Sequence, residues 1–146
     1  MKPVFLLLPF CFCLFFLFSA AQKNSSGYTS LFDGKTLNGW KKVAGNADYK
    51  VEDGMIVGST VVLSPNSFLI TEKEYGDFIL ELEVKIDDTT SNSGVQFRSH
   101  YDAAGHEGKG KVYGCQYELD PSSRRWTAGI YDEGRRDWLY PLSLHS

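Results

Sequence analysis

The stretch VYGCQYELD, residues 112–120, alternates between two kinds of side chain from Tyr113 onward. Its odd-numbered positions are aromatic or apolar: Tyr113, Cys115, Tyr117 and Leu119. Its even-numbered positions from the third residue onward are small or polar: Gly114, Gln116, Glu118 and Asp120. Successive side chains of a β-strand point to opposite faces of the sheet. The stretch therefore predicts a strand with one apolar face and one polar face.

Similar alternation extends to other parts of the chain. Residues 94–100 separate Val95, Phe97 and Ser99 from polar neighbours, and residues 77–87 alternate still more strictly. Further short strands are predicted at residues 49–51, 55–63, 68–71, 126–131 and 138–140. Asp53 and Gly54 can supply the positive φ angles of a tight hairpin turn. Because no stretch shows a helical period, we predict an all-β sandwich of two antiparallel sheets with jelly-roll topology.

The N-terminal residues predict export. Lys2 is followed by an apolar run over residues 4–18 and by small residues that end at Ala21. This order is typical of a secretory signal peptide over residues 1–21, and the alternative is a retained membrane anchor. Residues 22–29 are expected to be a polar leader, and residues 30–146 a single domain. The protein is thus expected in the periplasm or outside the cell, with no membrane attachment after cleavage.

The amino-acid composition indicates which classes of molecule the protein is expected to bind. The formal net charge is −3 and no long basic run is present, which disfavours nucleic acid. Eight tyrosines, three tryptophans and 14 glycines favour a β-rich domain with tight turns and aromatic surfaces that suit sugars. Cys115 is the single cysteine outside the predicted signal peptide, so the mature chain has no internal disulfide.

Two polar faces are the strongest candidates for chemistry. The first carries Gln96, Arg98 and His100, and the second carries Gln116, Glu118 and Asp120. If the two strands are neighbours, these six groups converge. The alternative is that each face is merely the solvated side of an antiparallel sheet. Amides, an arginine, a histidine and carboxylates together offer donors, acceptors and a titrating base, which favours a site.

Other residues leave two interpretations open. Trp126 and Tyr131 could stack on a sugar ring or could belong to the core. His106 and Glu107 lie in a glycine-rich loop and are outside candidates for a metal or proton-transfer role. That loop lacks the spacing of a phosphate-binding loop.

Several ordered motifs carry a family resemblance. They are LFDGKTLNGW at 31–40, VEDG at 51–54, FLIT at 68–71, YGDF at 75–78, NSGVQFR at 92–98, VYGCQYELD at 112–120 and GIYD at 129–132. Together they resemble the 3-keto-disaccharide hydrolase family, formerly a domain of unknown function. The chain departs from that pattern at Cys115, where relatives often carry an aromatic residue, and at Ala128, where a glycine is common. The resemblance implies a concanavalin A-like sandwich whose concave face handles a sugar. Relatives continue with further strands, so the domain is expected to be incomplete at its C-terminus.

The resemblance also implies a reaction: cleavage of a glycoside already oxidised at C3 of its sugar. Either Glu118 or His100 would remove the C2 proton, and Arg98 would stabilise the enolate oxygen. The predicted substrate-binding residues are Gln96, Gln116, Asp120, Asn92, Trp126 and Tyr131. No metal site is predicted, and the sequence leaves the cofactor unknown. The alternatives are a lectin-like carbohydrate-binding module without catalysis and an inactive remnant.

Overall fold

The structure of the chain is a computed structural model that describes residues 27–140. The predicted signal peptide, residues 1–21, lies outside the described residues. The chain divides into two units, Met1–Ser30 and Leu31–Ser146, and all described strands belong to the second unit. Within residues 27–140, no helix combines the length and the apolar character that crossing a membrane requires.

The described residues form eight strands and one short helical turn. The strands are β1 Trp40–Val43, β2 Asp48–Glu52, β3 Met55–Ser59, β4 Phe68–Thr71, β5 Ser93–Asp102, β6 Lys111–Leu119, β7 Ile130–Glu133 and β8 Asp137–Tyr140, and the turn is α1 Gly105–Gly108. β1 pairs with β4, β2 pairs with β3, and the remaining strands form a four-stranded sheet in the order β5-β6-β7-β8. Every pairing is antiparallel. The prediction of an all-β, concanavalin A-like fold built from antiparallel sheets is confirmed.

The β2–β3 hairpin follows the predicted turn. Glu52 pairs with Met55, so Asp53 and Gly54 form a two-residue loop. Their φ angles are 49° and 76°, the left-handed values that a tight hairpin requires. The turn chemistry of two residues therefore sets the register of both strands.

Strand β5 contains an irregularity that changes which side chains share a face. Gln96 pairs with Gln116 and Phe97 with Cys115, but the next pair is His100 with Tyr113. Two residues of β5, Arg98 and Ser99, thus lie opposite one residue of β6, which is a β-bulge. Arg98 has a φ of 49°, a left-handed conformation that few non-glycine residues adopt. The extra residue reverses the facing pattern beyond it.

The strand predicted at residues 77–87 is wrong. Among the described residues, this segment forms no ladder with another strand. Its apolar side chains are largely exposed, at 52% for Phe78, 55% for Leu82 and 49% for Val84. A period of two residues specifies which side chains share a face, but strand formation also requires a hydrogen-bonding neighbour, and alternation does not encode one.

Further differences between prediction and structure concern β1, β3, β7 and α1. β1 has no counterpart in the sequence prediction, whereas β3 ends at Ser59, earlier than predicted. β7 begins at Ile130, so Trp126 precedes it in a turn. In α1, His106 and Glu107 have left-handed backbone angles, and the element is a local turn without the geometry of a regular helix.

Acidic groups are the most deeply buried side chains described. Val43, Ala47 and Val112 are the buried apolar residues within 27–140, whereas Glu118, Asp120 and Asp132 are each 2% exposed or less. Asp132 accepts hydrogen bonds from Arg135 at 2.7 Å and Arg136 at 2.5 Å.

Burial of a carboxylate is costly unless it is paired and hydrogen-bonded. The two arginines satisfy this requirement for Asp132. The turn between β7 and β8 therefore depends on their ion pairs.

Candidate functional site

Five side chains on β5, β6 and the turn before β5 form a continuous hydrogen-bonded chain, here called the amide chain: Asn92, Gln96, Ser99, Gln116 and Glu118. Ser99 Oγ donates to Gln96 Oε1 at 2.6 Å, and Gln96 Nε2 donates to Gln116 Oε1 at 2.8 Å. Gln116 Nε2 then donates to Glu118 Oε2 at 2.8 Å, while Asn92 Nδ2 donates to Glu118 Oε1 at 2.6 Å. The predicted convergence of polar groups from the two strands is thus present for Gln96, Gln116 and Glu118, and Asn92 joins them from the turn before β5.

Strand register explains why the amides meet. Gln96 and Gln116 are direct cross-strand partners, a position at which side chains lie on the same face and in contact. Gly94 is the partner of Glu118, and a Cβ atom at Gly94 would lie 2.5 Å from Gln116 Cδ. The missing side chain at residue 94 therefore gives Gln116 room to reach Glu118.

Glu118 is held as a fixed acceptor. Its side chain is 1% exposed, and each carboxylate oxygen accepts a hydrogen bond from an amide. Its backbone is also fixed, because the N–H donates to Gly129 O at 2.9 Å and the carbonyl accepts from Ala128 N at 3.0 Å. Such an acceptor orients the amide groups of Asn92 and Gln116.

An aromatic group continues the same face across β7 and β8. Tyr131 is the register partner of Gln116, and Trp138 is the partner of Tyr131. The Tyr131 and Trp138 rings meet edge to face with centroids 5.1 Å apart. Tyr131 Oη donates to Asp137 Oδ1 at 2.9 Å, and this hydrogen bond, followed by burial, raises the pKa of Tyr131 to about 12. The phenol therefore stays protonated at neutral pH, with its proton donated to Asp137 and its oxygen able to accept a hydrogen bond.

Asp120 and Trp126 belong to a separate cluster beyond the end of β6. Asp120 Oδ1 accepts from the Ser122 N–H at 2.9 Å, and Asp120 Oδ2 lies 2.9 Å from Arg124 Nε. The guanidinium of Arg124 lies 4.5 Å from the centre of the Trp126 ring, whose other neighbour is Trp138 at 4.6 Å. One face of Trp126 is thus covered by a cation. Tyr131 and Trp138, by contrast, lie in register with Gln116 of the amide chain.

The prediction that Arg98 and His100 share a face with Gln96 is wrong. Arg98 forms an exposed ion pair with Asp77 at 3.2 Å. His100 is paired with Tyr113 on the opposite face, with ring centroids 5.4 Å apart. The bulge at Arg98 and Ser99 causes both changes, since it places Ser99 beside Gln96 and reverses the residues that follow. The catalytic roles proposed for the two residues from sequence stay predictions.

Glu133 was not among the candidate residues identified from the sequence. It pairs with Gly114 at the end of β7 and lies two residues after Tyr131, so the two side chains share a face. Its Oε1 accepts a 3.4 Å hydrogen bond from Asn66 Nδ2. Burial raises the pKa of Glu133, and the charge of Glu118 adds to this rise. Alternation from Tyr131 was the signal that could have identified it.

The glycine-rich loop that contains His106 and Glu107 shows, among the described residues, no cluster of side chains suited to the metal role considered from the sequence. His106 and Glu107 are exposed on α1, and they belong to no cluster of ligating side chains. Within residues 27–140, no three His, Cys, Asp or Glu side chains are arranged to hold a metal ion.

The model of the 3-keto-alpha-glucoside-1,2-lyase-like domain matches residues 27–144. The chain belongs to this family. A comparison with curated proteins gave no match. Membership of the 3-keto-alpha-glucoside-1,2-lyase-like family agrees with the resemblance found in the sequence motifs, and it places the amide chain within a carbohydrate-acting domain.

Proposed function

We propose that this protein cleaves glycosides whose sugar is oxidised to a ketone at C3. The observation that carries the proposal is the amide chain beside Tyr131 in a domain of the 3-keto-alpha-glucoside-1,2-lyase-like family. Amides offer both donors and acceptors, as sugar hydroxyls require, and an aromatic ring suits the apolar face of a pyranose.

The proposed reaction is an elimination followed by hydration. The C3 ketone acidifies the C2 proton, and a base removes it to give an enolate. The C1–O bond then breaks as the C1=C2 double bond forms, and the departing oxygen takes a proton. Water adds across the double bond, with hydroxide at C1 and a proton at C2. The net change is hydrolysis, which requires no oxidant or reductant.

Side chains on the polar face have separate parts in this proposal. Gln96 and Gln116 bind hydroxyl groups, because each amide has capacity beyond the bonds of the amide chain. The phenol of Tyr131, whose proton is donated to Asp137, lies in register with Gln116, and its oxygen can accept a hydrogen bond from a substrate hydroxyl. Arg98 and His100 are directed elsewhere and have no part in it.

Carbohydrate binding without catalysis is the second candidate. It is favoured by the burial of Glu118, whose two oxygens are already occupied by amide donors. A face built from such satisfied groups can hold hydroxyls without transferring a proton, and a β-sandwich fold supports either function.

Substrate preference distinguishes the two functions. The purified mature chain, residues 22–146, is incubated with a 3-keto-disaccharide and with its unoxidised parent, and released monosaccharide is measured by mass spectrometry. We expect release from the keto sugar alone. Binding of both sugars by folded protein, with no cleavage of either, would contradict the hydrolase proposal and support the binding module.

Export is a further part of the proposal. It is supported by the apolar run over residues 4–18 and the small residues that follow it. We expect the protein expressed with its native N-terminus to be recovered from the periplasm or medium with residues 1–21 removed, as N-terminal sequencing would detect.

A further inference from the structure

The face of the four-stranded sheet that carries the amide chain contains two carboxylates, Glu118 and Glu133, that differ in how accessible they are to a ligand. Glu118 is 1% exposed, and both of its oxygens accept hydrogen bonds from amides. Glu133 is only partly buried and has one long hydrogen bond, at 3.4 Å from Asn66. A general base must come within hydrogen-bonding distance of the proton that it removes. Glu133 can meet this requirement, because it is more exposed than Glu118 and its carboxylate accepts fewer side-chain hydrogen bonds.

Strand register places Glu133 next to the sugar-binding residues. Gln116 and Tyr131 are partners in one row across the sheet, and Gly114 and Glu133 are partners in the next row on the same face. Residues two apart on a strand are separated by about 7 Å. The space over Gly114 is occupied by Ser99, since a Cβ atom at Gly114 would clash with Ser99 Oγ, so Ser99 of the amide chain lies in the same row as Glu133. A sugar bound over Gln116 and Tyr131 would therefore lie beside the Glu133 carboxylate.

We propose that Glu133 is the base that removes the C2 proton, and that Glu118 is a positioning residue that orients Gln116 and Asn92. This inference rests on the proposed function and replaces both bases considered from sequence. In the step, a Glu133 oxygen takes the C2 proton while the C2–H electron pair forms the enolate. The same carboxylic acid is then close enough to return a proton to the departing oxygen at C1, which leaves Glu133 ionised for the next turnover.

Charged neighbours of Glu133 favour this role. Its pKa is raised first by burial, and the negative charges of Glu118 on β6 and Asp137 on β8 also raise it. The Asn66 hydrogen bond and His106 of α1 act in the opposite direction. A raised pKa makes the carboxylate a stronger base, provided that it remains ionised at the working pH. Activity should accordingly fall as the pH drops through the raised pKa of Glu133.

Hydrogen–deuterium exchange at C2 tests the base separately from cleavage. Wild type, Glu133→Gln, Glu133→Asp and Glu118→Gln are each incubated with a 3-keto-glucoside in D₂O, and deuterium at C2 of recovered substrate and product is measured by NMR. Glu52→Gln, which alters an exposed carboxylate paired with Lys50 in the separate β2–β3 sheet, is the matched control. Losing a positioned base lowers a rate by about 10² to 10⁴. We expect this loss of exchange in Glu133→Gln and an intermediate rate in Glu133→Asp.

Glu118→Gln should retain exchange at a saturating substrate concentration and show a higher KM, because it disturbs the amides that bind hydroxyls. Near-normal exchange in folded Glu133→Gln would overturn the inference, and so would abolished exchange in Glu118→Gln with Glu133→Gln active. Failure of wild type to exchange or cleave the keto sugar would instead overturn the proposed function itself.

Discussion

Gly94 shows how one absent side chain shapes the candidate site. A Cβ atom there would meet Gln116 Cδ at 2.5 Å, so Gly94→Ala must displace the amide that joins Gln96 to Glu118. Overpacking of this kind costs about 1–3 kcal/mol of unfolding free energy. We expect lower stability in urea and a KM for the keto substrate raised by roughly tenfold, since loss of about 1.4 kcal/mol of binding free energy corresponds to that factor.

Gly76→Ala is the matched control for this prediction. A Cβ at Gly76 has no atom within 4 Å, so the same chemical change should leave stability and KM close to wild type. Equal behaviour of the two variants would show that residue 94 does not govern the position of Gln116. The sequence shows a glycine at residue 94, but its importance depends on the cross-strand neighbour, which only the register supplies.

At the scale of the element, the bulge in β5 decides which residues reach the polar face. Arg98 has a φ of 49°, which glycine adopts freely and β-branched residues avoid. Arg98→Gly and Arg98→Val both remove the exposed ion pair with Asp77. We expect Arg98→Val to be less stable than Arg98→Gly by about 1–3 kcal/mol, the range for a strained backbone conformation. Urea unfolding of both variants provides the measurement, and equal or reversed stabilities would contradict the bulge conformation.

Local features were predicted more successfully than pairing. The Asp53-Gly54 turn was found from sequence because two residues determine its backbone conformation. The polar face of β6 was found because alternation is local as well. The bulge depends on how β5 meets Gly114, and whether residues 77–87 form a strand depends on a hydrogen-bonding neighbour distant in sequence. For the same reason alternation predicted the contact of Gln96 and Gln116 with Glu118, whereas it placed Arg98 and His100 on the wrong face and missed Glu133.

For the whole molecule, the buried carboxylates predict sensitivity to acid. The hydrogen bond from Arg136, followed by that from Arg135, lowers the pKa of Asp132 below 3.8. Its contribution to stability is therefore present above about pH 4 and is lost as the pH falls through the lowered folded-state pKa. We expect the thermal midpoint of wild type to fall steeply there.

Asp132→Asn should have a lower midpoint at neutral pH and a smaller loss on acidification, so the two curves converge. The exposed Asp48→Asn variant provides the comparison for a carboxylate outside the buried cluster. Parallel curves for wild type and Asp132→Asn would show that Asp132 does not contribute to the acid sensitivity.

The ion pairs of Asp132 also bear on the order of folding. Both arginine partners lie within four residues of Asp132, and the flanking strands pair over a short loop. Contacts so close in sequence require little loop closure, and hairpins form within about 1–10 μs. Pairing between β5 and β6 must close the longer loop that includes α1. The hairpin of β7 and β8 can therefore form first and offer β6 an edge on which the row of Gln116 and Tyr131 is assembled.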